Sequence, residues 1–218
     1  MKIESYIIND VRPIDVSSKI KEAQSVFNQL TYSHIPVEKD GHYIGCISEN
    51  DVYCIESSKT ISDFQYVLEP FHVLADTNWL DVLEAFALHK SNIMPVLDNE
   101  NKYIGYYELG DIMSLFNNTP FLNENGGIIV VEKGIQDYSF SEVCQIVESN
   151  STRIFGAFIS DLKEDTVQIT LKVGQSGMNS IVQTFRRYNY VVVSSHQEDK
   201  FLEDLKERSQ YLDKYLNI

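Results

Sequence analysis

The chain has 218 residues and a formal net charge of -14. That length suits one or two domains, and the 43% share of hydrophobic residues is ordinary for a soluble globular protein. The negative charge disfavours nucleic acids and anionic membrane surfaces as partners, because both carry negative charge themselves.

The sequence indicates neither export nor membrane insertion. Residues 1–5 lack a basic segment followed by an apolar run, which argues against a signal peptide. No apolar run approaches the roughly 20 residues that a membrane helix needs. Cys46, Cys54 and Cys144 are an odd count at wide spacings, which is typical of neither a disulfide framework nor a zinc site. We therefore expect a cytoplasmic protein with reduced, mostly buried thiols.

The first part of the chain predicts a helix, two short strands and a second helix. Apolar residues recur at helical spacing over residues 17–30, and a serine at the start can cap that helix. Strands are predicted over 35–37 and 43–47, separated by the turn-forming pair Asp40-Gly41. The second helix is predicted to begin after Ser48.

The same order returns about sixty residues later. The repeated elements are a helix after Thr77, strands over 94–97 and 103–106, and a helix over 108–116. Pro36 and Pro95 lie 59 positions apart, and Asp51 and Asp111 lie 60 apart. An offset that is sustained over four elements indicates an internal duplication.

Turn-forming residues over 117–127 mark a domain boundary. Beyond it the hydrophobic pattern predicts the ferredoxin-like order βαββαβ. The predicted elements are a buried strand over 128–131, a helix capped by Ser139, strands over 153–159 and 166–173, a helix over 178–185 and a strand over 190–193. A final charged helix is predicted over 198–218, with an apolar stripe that needs a partner.

The duplicated segment resembles the CBS domain, and the pair resembles a tandem CBS (Bateman) module over about residues 1–117. Each copy has a hydrophobic-Pro-Val strand, then Gly-hydrophobic-hydrophobic, then Ser or Glu, two residues and Asp. The resemblance implies an α+β fold in which repeats 1–60 and 61–122 pack about a pseudo-twofold axis and leave two clefts. In that family the clefts often hold adenosine-containing ligands such as AMP, ATP or S-adenosylmethionine.

Carried onto the first copy, the resemblance implies a ligand site. Asp51 would accept hydrogen bonds from the ribose hydroxyls and Ser48 would donate to phosphate, while His34 and Ile35 would border the base. A hydroxyl at a helix start lies beside free backbone N–H groups, which favour an anion. The alternative is a plain helix cap, with Ser48 as N-cap and Asp51 at N3.

In the second copy Glu108 stands where the first copy has Ser48. A carboxylate there would repel phosphate and has no proton to donate at neutral pH. Asp111, with Ile93 and Met94, would then line a cleft for an uncharged nucleoside, a cationic group such as a sulfonium, or no ligand. The alternative is that Glu108 simply starts a helix, where negative charge is favourable.

The region 123–197 resembles an ACT-like domain in its element order and hydrophobic pattern. ACT domains commonly pair between subunits and often bind amino acids through a loop that carries Asp-Arg-Pro-Gly. Here only Gly134 matches that loop. A CBS pair followed by an ACT-like domain and a C-terminal helix over 198–218 is similar to bacterial acetoin-utilisation-type CBS proteins, and we expect a homodimer.

The sequence contains no nucleophile elbow, Walker loop or dinucleotide fingerprint, and its histidines lack a metal-site spacing. We therefore predict a regulatory protein, not an enzyme, that requires no cofactor and binds an adenosine-type ligand of the AMP, ATP or S-adenosylmethionine class. No nucleic-acid or membrane partner is expected. Two alternatives stay open: an amino-acid sensor acting through the ACT-like domain, and a ligand-free dimerisation scaffold.

Overall fold

A computed structural model of the protein describes residues 3–195. The chain divides into two compact units, unit 1 over Met1–Phe116 and unit 2 over Asn117–Ile218. The helix predicted over 198–218 lies outside the described residues.

Unit 1 contains two copies of one arrangement. The elements of the first copy are β1 (Ile14–Asp15), α1 (Ile20–Phe27), β2 (His34–Lys39), β3 (His42–Ser48) and α2 (Glu49–Cys54). Those of the second are β4 (Val73–Leu74), α3 (Trp79–His89), β5 (Ile93–Leu97), β6 (Tyr103–Glu108) and α4 (Leu109–Asn117). In each copy the first strand is parallel to the second, and the second is antiparallel to the third. The predicted duplication is present in the structure.

Local sequence signals account for the turn in the first copy but not for the start of its first helix. Asp40 and Gly41 both have positive φ angles, 52° and 77°, which suits the tight turn between β2 and β3. The predicted serine cap of α1 is wrong. Ser17 instead bonds Asp15 Oδ1 through its backbone N–H at 2.8 Å and its hydroxyl at 2.5 Å. The helix begins at Ile20, and its N-cap is Lys19, which makes no capping hydrogen bond through its side chain.

The two copies exchange short backbone segments. Glu69, which precedes the second copy, pairs with Cys46 in β3 of the first through N···O contacts of 2.8 and 2.9 Å. Ile8, which precedes the first copy, pairs in the same way with Tyr106 in β6 of the second, at 2.8 and 2.9 Å. Ile3 is 2% exposed in the core of the second copy. Each copy is therefore completed by the chain that leads into the other.

Unit 2 contains one four-stranded antiparallel sheet. Its elements are α5 (Pro120–Asn123), β7 (Gly126–Gly134), α6 (Phe140–Ser149), β8 (Ile154–Leu162), β9 (Thr166–Gly174), α7 (Met178–Arg187) and β10 (Val191–Ser195). The strand order is β10-β7-β9-β8. After the short helix α5, the element order is the predicted βαββαβ.

Burial alternates along β7 and β9, the two central strands of unit 2, because helices α6 and α7 share a core with only one face of the sheet. In β9 the alternation is strict, as its sequence predicts. The prediction that β7 is buried throughout is wrong. Ile129 and Val131 are fully buried, whereas Ile128 is 37% exposed on the opposite face.

Candidate functional site

Two clefts form where the copies of unit 1 meet. The first has a volume of about 420 Å³, and its lining includes Ser48, Glu69 and Lys90. The second has a volume of about 590 Å³, and its lining includes Tyr32 and Glu108. Residues from both copies line each cleft, so a molecule bound in either one contacts both.

A reciprocal pair of hydrogen bonds joins the copies between the two clefts. The Ser33 backbone N–H donates to Asn92 Oδ1 at 2.8 Å, and the Asn92 backbone N–H donates to Ser33 Oγ at 3.1 Å. Their carbonyl oxygens accept from the backbone N–H groups of Glu49 at 2.9 Å and of Leu109 at 3.0 Å. This pair links the two copies and ties each to the start of the helix beside its cleft.

In the first cleft Ser48 and Asp51 are bonded to each other. The Asp51 backbone N–H donates to Ser48 Oγ at 3.1 Å, and the Ser48 hydroxyl donates to Asp51 Oδ2 at 2.6 Å. The helix-cap interpretation of this motif is therefore what the structure shows. A ligand phosphate would have to replace Asp51 as the acceptor of the Ser48 proton.

His34 lies in the wall of the first cleft and is 6% exposed. Its Nε2 lies 3.3 Å from Glu69 Oε1 and its Nδ1 lies 2.8 Å from Ser33 Oγ. Burial lowers the pKa of His34, and the Glu69 carboxylate opposes that shift. The neutral ring can then donate from Nε2 to Glu69 and accept the Ser33 proton at Nδ1.

An aromatic wall continues from His34 towards the second copy. The Phe71 ring lies edge-on to His34, with centroids 5.2 Å apart, and stacks on His89 at 4.6 Å and an interplanar angle of 16°. His89 lines the first cleft from the second copy. The cleft therefore offers flat rings beside the polar groups Ser48 and Asp51.

The structure buries the three apolar residues of the predicted site and leaves Asp111 partly exposed. Ile35 is 1% exposed in the first core, and Ile93 and Met94 are fully buried. None of these three residues lines either cleft. Asp111 is half-buried in the first turn of α4, the position that Asp51 has in α2.

In the second cleft a chain of hydrogen bonds surrounds Glu108. The Tyr32 hydroxyl lies 2.7 Å from both Glu108 Oε1 and the Tyr106 hydroxyl, and Tyr106 donates to Asp10 Oδ1 at 2.7 Å. Tyr106 is 1% exposed, and burial raises its pKa. Sequence reasoning missed Tyr32 and Asp10. The offset that equates Tyr106 with Cys46 is a signal that the two clefts differ in more than Glu108.

The thiols are free but differ in exposure. Cys46 is fully buried, and burial raises its pKa to about 12. Cys54 is exposed and Cys144 is half-buried, so the prediction of mostly buried thiols holds only for Cys46.

Neither a membrane span nor a metal cluster is found over residues 3–195. No helix there combines the length and the apolar character needed to cross a bilayer. No three histidine, cysteine or acidic side chains within the same range gather where they could hold a metal ion.

The CBS domain family model matches residues 3–54 and 61–118, about half of the chain. The chain belongs to the CBS domain family. The matched residues include both copies of unit 1, so this unit is a CBS pair and its clefts are those of a CBS pair.

Known proteins share parts of this chain. Inosine-5'-monophosphate dehydrogenase from Methanocaldococcus jannaschii is 24% identical over 152 residues, which are 68% of this chain and 30% of that protein. The chain thus spans less than a third of the length of that curated relative. A CBS domain pair/ACT domain protein from Thermotoga maritima is 22% identical with a TM-score of 0.49, over 53% of this chain and 96% of that one. CBSX2, solved in complex with AMP, is 18% identical with a TM-score of 0.46, over 53% of this chain and 95% of that one.

Proposed function

We propose that the CBS pair is a non-catalytic regulatory module whose first cleft binds an adenosine-type ligand of the AMP, ATP or S-adenosylmethionine class. The observation that carries the proposal is the position of Asp51 beside a cleft lined by both copies. A carboxylate is a good acceptor for the vicinal hydroxyls of a ribose. Ligands of this class are bound by other CBS proteins, such as CBSX2 with AMP.

The walls of the first cleft support the same class of ligand. The His89 ring, which stacks on Phe71, presents a flat surface in the cleft. Nucleobases stack on such rings without regard to their hydrogen-bonding pattern. An adenine against this wall would lie in the same cleft as Ser48, which is bonded to Asp51.

A ligand in this position would act by changing how the copies pack. It would contact Ser48 of the first copy and Lys90 of the second at once. Ser33 also lines this cleft, and the Ser33–Asn92 pair links the two copies and holds the start of α4 in the second copy. A ligand shifts the packing only if it binds one arrangement more tightly than the other.

The test is a thermal-shift screen of the full chain with adenosine, AMP, ADP, ATP, S-adenosylmethionine, NAD and the amino acids. A ligand at 100 times its dissociation constant stabilises the folded state by about 2.7 kcal/mol, which the melting temperature reports. We expect a shift with at least one adenosyl compound, lost in Asp51→Ala and kept in Asp76→Ala, an exposed aspartate outside the cleft. A shift that survives Asp51→Ala would contradict the proposal, and a shift with amino acids alone would favour a sensor in unit 2.

The homodimer and the cytoplasmic location expected from the sequence are part of this proposal. Sedimentation equilibrium of the full chain with and without the adenosyl ligand tests the dimer. A monomer at micromolar concentration in both conditions would contradict it.

A further inference from the structure

The charges that face the first cleft do not suit a polyphosphate. Among the described residues lining it, Lys90 is the single lysine or arginine, whereas Glu49 and Glu69 both bring a carboxylate to the same lining. Asp51 adds a third carboxylate directly behind Ser48. The cleft therefore carries more negative than positive charge before any ligand binds.

The hydrogen-bond donors at the start of α2 are also largely used within the protein. The backbone N–H of Glu49 donates to Ser33 O at 2.9 Å, and that of Asp51 donates to Ser48 Oγ at 3.1 Å. The Ser48 hydroxyl donates to Asp51 Oδ2. Within the described residues this leaves the backbone N–H of Asn50 for an anion, and α2 itself has six residues. A single phosphate would therefore meet few free hydrogen-bond donors here, and a chain of phosphates would have fewer donors for each phosphate.

We propose that the first cleft selects adenosyl ligands of low negative charge, so that adenosine, AMP or a cationic adenosyl compound binds more tightly than ADP or ATP. The inference rests on the proposed function and narrows its ligand class. Each phosphate added to AMP brings further negative charge towards Glu49 and Glu69 while Lys90 stays the one cation. In the second cleft the carboxylate of Glu108 accepts a hydrogen bond from Tyr32. The exposed carboxylate of Glu49 has no hydrogen-bond or ion-pair partner among the described residues.

The experiment is calorimetric titration of the full chain with adenosine, S-adenosylmethionine, AMP, ADP and ATP in EDTA at fixed ionic strength. We expect the dissociation constant of ATP to be at least tenfold that of AMP. Glu49→Gln should narrow this ratio at least threefold, and Lys90→Gln should widen it. Glu22→Gln, an exposed position on α1, makes the same change in net charge away from the cleft and should leave the ratio unchanged.

The possible outcomes separate this inference from the proposed function. If ATP binds as tightly as AMP and Asp51→Ala abolishes both, the charge selectivity is overturned while the adenosyl site stands. If Glu49→Gln and Glu22→Gln narrow the ratio equally, net charge rather than the cleft sets the selectivity, and the inference is wrong. If no adenosyl compound binds, both proposals are overturned.

The titration is then repeated with Mg²⁺, which should narrow the ratio of the ATP and AMP dissociation constants without reversing it. Tighter binding of the magnesium complex of ATP than of AMP would overturn the inference.

Discussion

The Tyr32 hydroxyl donates a 2.7 Å hydrogen bond to Glu108 Oε1, so the carboxylate that replaces Ser48 in the second cleft is bound by the other copy. Tyr106 extends this contact to Asp10. At the equivalent position of the first copy is the small, fully buried Cys46, which has no hydroxyl to extend such a chain. The two copies of the CBS pair therefore differ at this position as well as at Glu108.

The hydrogen bonds of Tyr32 and Tyr106 at the second cleft form one network, and their contributions to stability should depend on each other. A hydrogen bond to a charged group contributes about 1.5–3 kcal/mol, so we expect Tyr32→Phe and Tyr106→Phe each to lower the free energy of unfolding by about that amount. Since both belong to one network, the double variant should lose less than the sum. Urea denaturation measures all three, with Tyr53→Phe, an exposed tyrosine bonded to Asn28, as the control. Strictly additive losses would show that the contacts act independently.

Replacing Glu108 should change what the second cleft accepts. Glu108→Ser removes the carboxylate that repels phosphate and releases Tyr32, so we expect a second, weaker AMP site to appear. Calorimetric titration reports the change in stoichiometry, and Glu100→Ser, an exposed turn position, is the control. An unchanged stoichiometry in Glu108→Ser would contradict our account of why this cleft differs.

The pairing of Ile8 with Tyr106 predicts that two glycine-to-alanine substitutions change the stability of the protein differently. Gly105 has a φ angle of 151°, and a Cβ there would lie 2.4 Å from the Ile8 carbonyl oxygen. Gly105→Ala should therefore cost at least about 1–3 kcal/mol of stability. Gly110 lies in α4, and a Cβ added there would have no neighbouring atom within 4 Å. Gly110→Ala should therefore be neutral or stabilise the protein by up to about 1 kcal/mol. Chemical denaturation of both variants checks this, and equal stabilities would contradict the Ile8–Tyr106 pairing.

His34 should make stability depend on pH. Because burial lowers the pKa of His34 from its usual value of 6.5, the unfolded chain binds the proton more readily than the folded one. The stabilisation is complete above pH 6.5 and is lost as the pH falls through the lower folded-state pKa. We expect the urea concentration at the midpoint of unfolding to decrease as the pH is lowered below 6.5. The variant His34→Gln should flatten this pH dependence, and His42→Gln, at an exposed histidine, should leave it unchanged. An unchanged pH profile in His34→Gln would contradict the buried neutral ring.

The sequence predicted the local features of this fold and missed the long-range ones. The turn at Asp40-Gly41 and the strict alternation of β9 are visible because neighbours in sequence set them. The Glu69–Cys46 pairing joins segments 23 positions apart and leaves no periodic pattern. The two-residue strands β1 and β4 are too short to show a period at all.

The same limit applies to the candidate site. Ser48 and Asp51 were found because the duplication repeats their spacing. The hydrogen bond between Tyr32 and Glu108 joins residues 76 positions apart, so the sequence around either residue does not predict it. Lys90 is itself the left-handed residue that ends α3 at the first cleft, which is a feature of the folded chain.

The most direct test of unequal clefts is the number of AMP molecules that the wild-type chain binds in a calorimetric titration, repeated with Asp51→Asn and Asp111→Asn. These aspartates occupy equivalent positions in α2 and α4, and asparagine keeps an acceptor for Ser48. We predict one site per chain, lost or weakened at least tenfold in Asp51→Asn and unchanged in Asp111→Asn. Two equal sites, or equal effects of the two substitutions, would contradict the account.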